Sequence, residues 1–460
     1  MEMSIFAALG FLFAAYAVVG NDALQTLGTF INSNSKLHWF WLFLFAGAIL
    51  VLTFTYGWFA YEGDPSFGRL SNAAKYPWPE GGVQWYHTLP PLALVIITRF
   101  GIPVSTTFMV LTVFATVGGL TSMLQKSLTG YLIAFIVGLG LYLILSRTLE
   151  KYFKENTASS RAPWGLASIM GILIAAMVYF LPDMLINCDL STLTDAKEIK
   201  SCKKSMGVIT KYKVYAPYIF FGGFIIEAII YAISRKFGNT SYWVILQWVT
   251  TGYLWSIWLI QDFANIFVFL PRQITATESF VAMLAILALL GFTFWNKGGP
   301  VQKILKAKTA VTDIRSATIV DFTYACLLFF FKEVSAIPMS TTFVFLGLMA
   351  GREYGFTLLS RGMDVMRTTR LTVSDAAKAF IGLVVSIDMA VGLPRLAEAV
   401  SGIESTPLSS SYQMFIITAN LLLIPVAAFL MKQDSKPRTY ITGGILVLAA
   451  VTFFVMPPTA

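Results

Sequence analysis

Long apolar runs alternate with short polar loops along the chain, and the length of the runs predicts membrane-spanning helices. Two further apolar stretches, 89–124 and 321–350, are each interrupted by a proline and three consecutive hydroxyl side chains. Because backbone groups left unpaired in lipid are very costly, such breaks must be buried in protein or line a cavity. We predict ten spanning helices, at about 4–31, 38–60, 127–147, 165–182, 215–233, 242–270, 279–296, 376–398, 412–431 and 439–457.

The composition supports this pattern. Of the 460 residues, 57% are hydrophobic and 12% are charged, whereas a soluble domain carries about 25% charged residues. The formal charge of +9 lies mostly in the loops, so we interpret it as a signal of orientation and expect no nucleic-acid partner. The sequence therefore predicts a multi-pass protein embedded in a lipid bilayer.

Basic residues orient the predicted spans, because cytoplasmic loops carry an excess of Lys and Arg. Placing basic loops such as 147–161 and 297–315 in the cytoplasm puts both termini outside it. The loop 188–213 also falls outside although it holds six lysines, and there Cys188 and Cys202 could form a disulfide. We expect the protein in a plasma or inner membrane.

On this topology the two interrupted stretches enter the membrane from opposite faces. Both flanks of 89–124 lie outside, and both flanks of 321–350 lie in the cytoplasm. We therefore predict an all-α integral membrane protein with an inverted-topology repeat and two re-entrant helical hairpins. The alternative is that each stretch is an ordinary proline-kinked span. The predicted division is a first repeat at 1–182, a linking polar loop and helix at 183–241, and a second repeat at 242–460.

An acidic motif precedes each hairpin. Asp22 and Asp262 lie 240 positions apart, and Ser105 and Ser340 of the two breaks lie 235 apart. The acidic motif and the break motif are therefore each repeated after nearly the same number of residues. An aspartate and an amide three residues later share one helix face, where their oxygens can bind a small hard cation such as sodium. The alternative is a structural carboxylate bonded to a neighbouring helix. The amides of the two motifs are Asn21, Gln25, Gln261 and Asn265.

The hydroxyls of the two breaks predict an anion site. A helix that restarts after a proline presents unpaired N–H groups with partial positive charge. Such a terminus, with hydroxyls beside it, can hold an oxyanion. The same hydroxyls could instead serve only as helix caps. They belong to Ser105, Thr106, Thr107, Ser340, Thr341 and Thr342.

The two motifs resemble those of the inorganic phosphate transporter family. That family carries Gly-Ala-Asn-Asp-Val-Ala-Asn-Ala in each half and Pro-Val-Ser-Thr-Thr-His in each hairpin. Here Asn21-Asp22 and Gln261-Asp262 match the first motif, and Pro103–Thr107 and Pro338–Thr342 match the second. The resemblance implies phosphate bound by the six hydroxyls, sodium as the coupling ion with no other cofactor, and a homodimer. It implies sodium ligands at Asn21, Asp22, Gln25, Gln261, Asp262 and Asn265.

The chain departs from the family at the residue after each Thr-Thr pair, where Phe108 and Phe343 replace histidine. This change excludes a proton relay at those positions and favours sodium coupling, but it leaves the oxyanion open. Arg99, four residues before the first proline, could also touch the substrate. Glu227 and Asp388 lie in spans without a repeat partner, and we interpret them as structural.

We therefore predict a secondary transporter that carries inorganic phosphate with sodium, with its site at the midplane between the repeats. The alternatives are a carrier of sulfate or another tetrahedral oxyanion, and an ion channel. No nucleophile elbow, nucleotide loop or metal-ligand motif occurs in the sequence, so we do not expect an enzyme.

Overall fold

A computed structural model describes residues 4–99, 105–145, 164–185, 213–296, 314–334, 338–359, 365–402 and 410–431. The predicted span 439–457 and the proposed pair Cys188 and Cys202 lie outside these residues. The described residues include two 3-10 turns, at Trp85–Thr88 and Thr112–Phe114. The helices are α1 Ile5–Ser33, α2 Trp39–Ala60, α3 Leu89–Arg99, α4 Thr106–Leu111, α5 Val117–Leu145, α6 Leu166–Leu185, α7 Ala216–Phe237, α8 Thr240–Phe267, α9 Ala276–Trp295, α10 Ile314–Val334, α11 Thr341–Leu359, α12 Val365–Ser401 and α13 Ser410–Met431.

This architecture confirms the predicted all-α membrane fold. Within the described ranges, nine helices are long and apolar enough to cross a membrane. Local sequence explains where several of them begin. The Ser4 hydroxyl accepts a hydrogen bond from the Ala7 N–H at 3.1 Å and caps α1, and Thr275 and Glu278 form a reciprocal capping box at the start of α9. The re-entrant entry of the hairpins and the inverted repeat remain predictions.

The first interrupted stretch ends earlier than predicted. Residues 117–124 belong to α5, which runs on through the predicted span and carries the buried Lys126 inside it. The chain breaks instead at Ala115 and Thr116, where the Thr116 N–H donates to the Lys75 carbonyl at 2.9 Å. The polar pair Gln125-Lys126 was a misleading boundary signal, because a long basic side chain can be buried along a helix when its ammonium group has a partner.

The second interrupted stretch also differs at its ends. The helix before the break, α10, begins at Ile314, and its segment Ile314–Lys332 is long enough to cross a membrane by itself. The helix after the break, α11, continues to Leu359, nine residues beyond the end of the predicted stretch 321–350. Arg352 is tolerated there because its guanidinium pairs with Glu353 at 2.9 Å.

The chain forms two compact units, each assembled from separate segments. The first unit contains 1–146, 258–310 and 337–460, and the second contains 147–257 and 311–336. The first unit therefore holds both acidic motifs and both sets of hydroxyls. Within it, α5 and α11 make the most extensive contact between two described helices.

In the second unit α6 packs closely against α7 where Gly171 meets Gly223. The Glu227 carboxylate of α7 accepts hydrogen bonds from the Gly165 and Ala167 N–H groups, each at 2.9 Å. It therefore caps the start of α6, which agrees with the structural role predicted for it.

The loop 61–88 of the first unit is an ordered cap over the ends of several helices. The Ile274 N–H donates to the Gly63 carbonyl at 2.9 Å, and the Arg272 guanidinium donates to the Tyr76 carbonyl at 3.2 Å. His87 is buried and stacks against Tyr86 with ring centroids 4.1 Å apart. These contacts attach the loop to the segment that follows α8.

Candidate functional site

The two break motifs meet in the first unit. The Thr107 hydroxyl donates to the Met339 carbonyl at 3.1 Å, so the first motif contacts the residue that precedes Ser340 of the second. The rings of Phe108 and Phe343 contact each other with centroids 5.6 Å apart. Residues 235 positions apart in the sequence thus lie side by side.

Asp22 of α1 faces the first break motif. It is 1% exposed, and its Oδ1 accepts a hydrogen bond from Asn21 Nδ2 at 2.8 Å. The Thr106 hydroxyl donates to its Oδ2. Thr342 of the second motif also lies beside this carboxylate. The Asp22 carboxylate is therefore in contact with hydroxyls of both hairpin motifs.

Asp262 of α8 has a related environment. It is 1% exposed, and its Oδ1 accepts from Asn265 Nδ2 at 2.7 Å. The same amide nitrogen lies 3.3 Å from the Thr106 hydroxyl and 3.2 Å from that of Thr107. Thr341 lies beside the Asp262 carboxylate, as Thr106 lies beside that of Asp22. Equivalent residues of the two motifs thus make equivalent pairs.

Three buried oxygens of this cluster have no hydrogen-bond partner among the described residues. They are Asp262 Oδ2, Asn265 Oδ1 and Thr342 Oγ1. Buried polar groups are nearly always hydrogen-bonded, so each exception needs an explanation. A carboxylate oxygen, an amide oxygen and a hydroxyl are the kinds of ligand that a hard cation takes, and the hydroxyl can also donate to an anion.

Electrostatic interactions link the cluster to the cap. The carboxylates of Asp22 and Asp262 interact with each other, and the Arg69 guanidinium interacts with Asp262. Arg69 is 3% exposed, and its Nε donates to the Ile260 carbonyl at 2.9 Å. The sequence pattern does not predict Arg69 as a site residue, because it lies in the polar loop 61–88. Its burial next to an acidic motif appears only in the folded chain.

The two serines of the break motifs act as helix caps. Ser105 Oγ accepts from the Phe108 N–H at 3.3 Å, and Ser340 Oγ accepts from the Phe343 N–H at 3.2 Å. The Ser340 N–H in turn donates to the Ser127 hydroxyl of α5 at 2.9 Å. A capping bond uses an oxygen lone pair, so each hydroxyl can still donate its hydrogen.

The structure describes the remaining predicted residues to different extents. Gln261 is buried next to Asp262. Gln25 and Arg99 lie in α1 and at the end of α3, and only their backbone is described. Asp388 of α12 is buried and accepts from Asn420 Nδ2 of α13 at 2.8 Å, which agrees with the predicted bond to a neighbouring helix.

The site can be compared with known proteins now that its geometry is established. No protein-family model matches the sequence, and no curated protein matches it. Among solved structures, the chain resembles one described as "The sodium-dependent phosphate transporter", with a TM-score of 0.50 and 14% identity over 85% of this chain and 96% of that chain. At this level of identity the likeness concerns the fold. The protein is thus a multi-pass membrane protein with a transporter fold, and that fold is shared with a sodium-dependent phosphate transporter.

Proposed function

We propose that this protein is a sodium-coupled symporter of inorganic phosphate and a divergent member of the inorganic phosphate transporter family. The observation that carries the proposal is the pairing of both acidic motifs with both hydroxyl motifs, through Thr106 with Asp22 and Thr341 with Asp262. The transporter fold shared with a sodium-dependent phosphate transporter supports it and agrees with the expectation of a non-enzyme.

Sodium binds at the acidic motifs in this proposal. The oxygens of Asp262, Asn265 and Thr342 that have no partner in the described part of the chain are buried together with two carboxylates. The two buried carboxylates interact as like charges, and their repulsion is weakly screened away from water. Sodium ions placed between the carboxylates would remove this repulsion. Asn21, Gln25 and Gln261 complete the proposed ligands.

Phosphate binds at the hydroxyls in this proposal. Thr106, Thr107, Thr341 and Thr342 are all buried, and α11 begins at Thr341, so the partial positive charge of its first turn lies next to these hydroxyls. Ser105, Ser340 and Arg99 complete the proposed set. Because a dianion beside two carboxylates is unfavourable, phosphate would enter only with bound sodium, and this dependence is the physical basis of the coupling.

Phosphate is the first candidate for the anion because the fold is shared with a sodium-dependent phosphate transporter. Sulfate remains the second candidate because neither Phe108 nor Phe343 can exchange a proton with the anion.

Alternating access is the transport mechanism that we infer from the predicted topology. The two re-entrant hairpins would enter from opposite faces and meet at the midplane, where one repeat moves against the other. The contact between Thr107 and Met339 is then a contact between the hairpins that changes during transport. The proposal also includes a homodimer in the membrane, which the resemblance to the family implies.

Uptake of labelled phosphate into proteoliposomes tests the proposal. We expect saturable uptake that requires an inward sodium gradient and is inhibited by arsenate more than by sulfate or nitrate. Conductance that does not saturate, or uptake that is independent of sodium, would show a channel or a different coupling. Stronger inhibition by sulfate than by arsenate would support the second candidate.

Substitution of the two aspartates tests the residues. Asp22→Asn and Asp262→Asn each remove a charge without changing side-chain size, so both proteins should insert normally and lose coupled uptake. Glu278→Gln, which removes a half-buried carboxylate from the capping box of α9, away from the acidic motifs, is the matched control and should retain uptake. Sodium dependence like that of the wild type in both aspartate variants would refute their role.

A further inference from the structure

A second buried acid lies outside the site described above. Asp388 of α12 is 2% exposed and has no counterpart in the repeated motifs. Its Oδ1 accepts from Asn420 Nδ2 at 2.8 Å. Asn420 lies ten residues into the 22-residue helix α13, near the middle of a predicted span. A carboxyl group at this depth is costly and is by default a candidate for function.

The hydrogen bonding of this pair is incomplete in a specific way. Asp388 Oδ2 and Asn420 Oδ1 are both buried, and neither has a hydrogen-bond partner in the described ranges. Both atoms are acceptors when Asp388 is ionised. A planar carboxyl and a planar carboxamide joined by one N–H···O bond can close a second bond beside it when the acid carries a proton. One hydrogen therefore satisfies both oxygens.

We propose that Asp388 and Asn420 form a proton-binding site between α12 and α13, separate from the paired aspartate motifs. Binding takes one proton from solvent, forms an O–H bond at Asp388 Oδ2 and changes the charge of the pair from −1 to zero. The new O–H donates to Asn420 Oδ1, while Asn420 Nδ2 continues to donate to Asp388 Oδ1. The result is a neutral pair joined by two hydrogen bonds in an apolar setting.

The titratable groups around Asp388 include a cation on its own helix face. The helices and turns packed against α12 are α4, α11, α13 and the two 3-10 turns. Their described titratable groups are Tyr86, His87, Arg352, Glu353 and Tyr354. On α12 itself, Arg395 lies seven residues after Asp388 and so shares its face, and its charge opposes protonation. The other ionisable residues of α12 are Arg367, Arg370, Asp375, Lys378 and Glu398.

His87 is the neighbour that could be confused with Asp388 in a pH titration. Its Nδ1 accepts from the Gln84 N–H at 3.0 Å. Burial lowers the pKa of His87 to about 4. The imidazole therefore stays neutral around pH 7, and a proton that binds to this part of the fold near neutrality is not on His87.

A contact connects the pair to the first break motif. The Thr112 hydroxyl, just after α4, donates to the Phe108 carbonyl at 2.5 Å. It also lies 3.2 Å from the Ser386 carbonyl, two residues before Asp388, and can share its hydrogen with that oxygen. A change of charge at Asp388 therefore occurs next to a helix segment that contacts the candidate site. On the proposed function, this proton site makes transport sensitive to pH without a histidine in the hairpins.

Difference infrared spectroscopy of the full chain in lipid tests the proton site directly. Wild type should show the carbonyl band of a buried protonated carboxylic acid near neutral pH, and Asp388→Asn should lose that band. Asp375→Asn, on the same helix, should keep it. In Asn420→Leu the band should persist at higher frequency, because the acid loses its amide partner. A wild-type spectrum without a band that Asp388→Asn removes would overturn the proposal.

Transport gives a second measurement, which rests on the proposed function. The ratio of phosphate uptake at acidic and alkaline pH should be closer to one in Asp388→Asn than in Asp375→Asn, at saturating sodium. Equal ratios in the two variants would overturn the role of the proton site in transport. Absence of uptake in wild type would refute the proposed function instead, and the infrared result would still decide whether Asp388 binds a proton.

Discussion

The glycines of α11 should be intolerant of even one added methyl group. A Cβ at Gly351 would lie 2.1 Å from the Phe135 carbonyl oxygen and 2.7 Å from the Leu139 nitrogen. One turn earlier, a Cβ at Gly347 would lie 2.2 Å from the Tyr131 carbonyl oxygen. Small residues at four-residue spacing allow two membrane helices to approach through their backbones. Here they allow α11 to lie directly on α5.

The size of the effect follows from these distances. Carbon atoms pack at about 3.5–4.0 Å, so Gly351→Ala requires α5 and α11 to separate by more than about 1 Å at this point. Both opposing atoms belong to a helix backbone, which cannot rotate aside as a side chain can. Overpacking of this kind costs about 1–3 kcal/mol. Because α11 begins at Thr341, the shift would also move the hydroxyls of the second break motif.

Thermal unfolding of the purified protein in one detergent, followed by tryptophan fluorescence, measures the effect. Gly351→Ala should lower the midpoint and reduce sodium-dependent uptake. Gly140→Ala on α5 is the matched control, since a Cβ there has no neighbour within 4 Å. Replacing an interior helical glycine by alanine without a clash stabilises a helix by about 0.5–1 kcal/mol, so the two variants should shift in opposite directions. Equal midpoints would refute the close backbone contact.

Two further predictions concern the loop 61–88. Stability should fall as the pH decreases from about 6.5 to about 4, because burial lowers the pKa of His87 to about 4 in the folded state, while the imidazole of the unfolded chain protonates near its ordinary pKa of about 6.5. The stabilisation by neutral His87 is complete above about pH 6.5 and amounts to about 3 kcal/mol. This pH dependence should be absent in His87→Gln but retained in His38→Gln, whose histidine is exposed. An unchanged acid transition in His87→Gln would contradict this. The Arg69 guanidinium interacts with Asp262, so its charge competes with sodium there, and Arg69→Gln should lower the sodium concentration for half-maximal uptake. An interaction of about 1 kcal/mol corresponds to a change of about 5-fold. Lys75→Gln in the same loop should leave that concentration unchanged, and a higher sodium requirement in Arg69→Gln would show that the guanidinium does not compete.

Much of the fold could be predicted because its signals are local. Apolar length locates most of the helices, and eight of the ten predicted spans coincide with helices that can cross a membrane. The errors lie at helix ends inside apolar stretches. Residues 117–124 belong to α5, which continues through the buried Lys126. Arg352 lies within α11, where it is paired with Glu353. Such partners are not visible in hydropathy.

The candidate site shows the same division. The repeat of both motifs after a similar number of residues predicted which residues belong together. The structure places Asp22, Asp262 and both Thr-Thr pairs in one buried cluster. Recurrence could not identify Arg69, which has no motif, or show that Ser105 and Ser340 serve as caps. It also could not show that Phe108 and Phe343 contact each other where the family has histidines.

The sequence by itself determined that the chain spans a membrane, that its helices break at two proline and hydroxyl motifs, and that each break has an acidic partner. These features depend on the chemistry of neighbouring residues and on their spacing, which the chain carries in any conformation. Only the tertiary structure decided which hydroxyl faces which carboxylate, which serines cap helices, and which buried oxygens lack a partner. Those properties depend on how separate segments pack, since Thr106 and Asp22 lie 84 positions apart and Thr107 and Met339 lie 232 apart. Such contacts exist only after α1, α4, α8 and α11 have packed together.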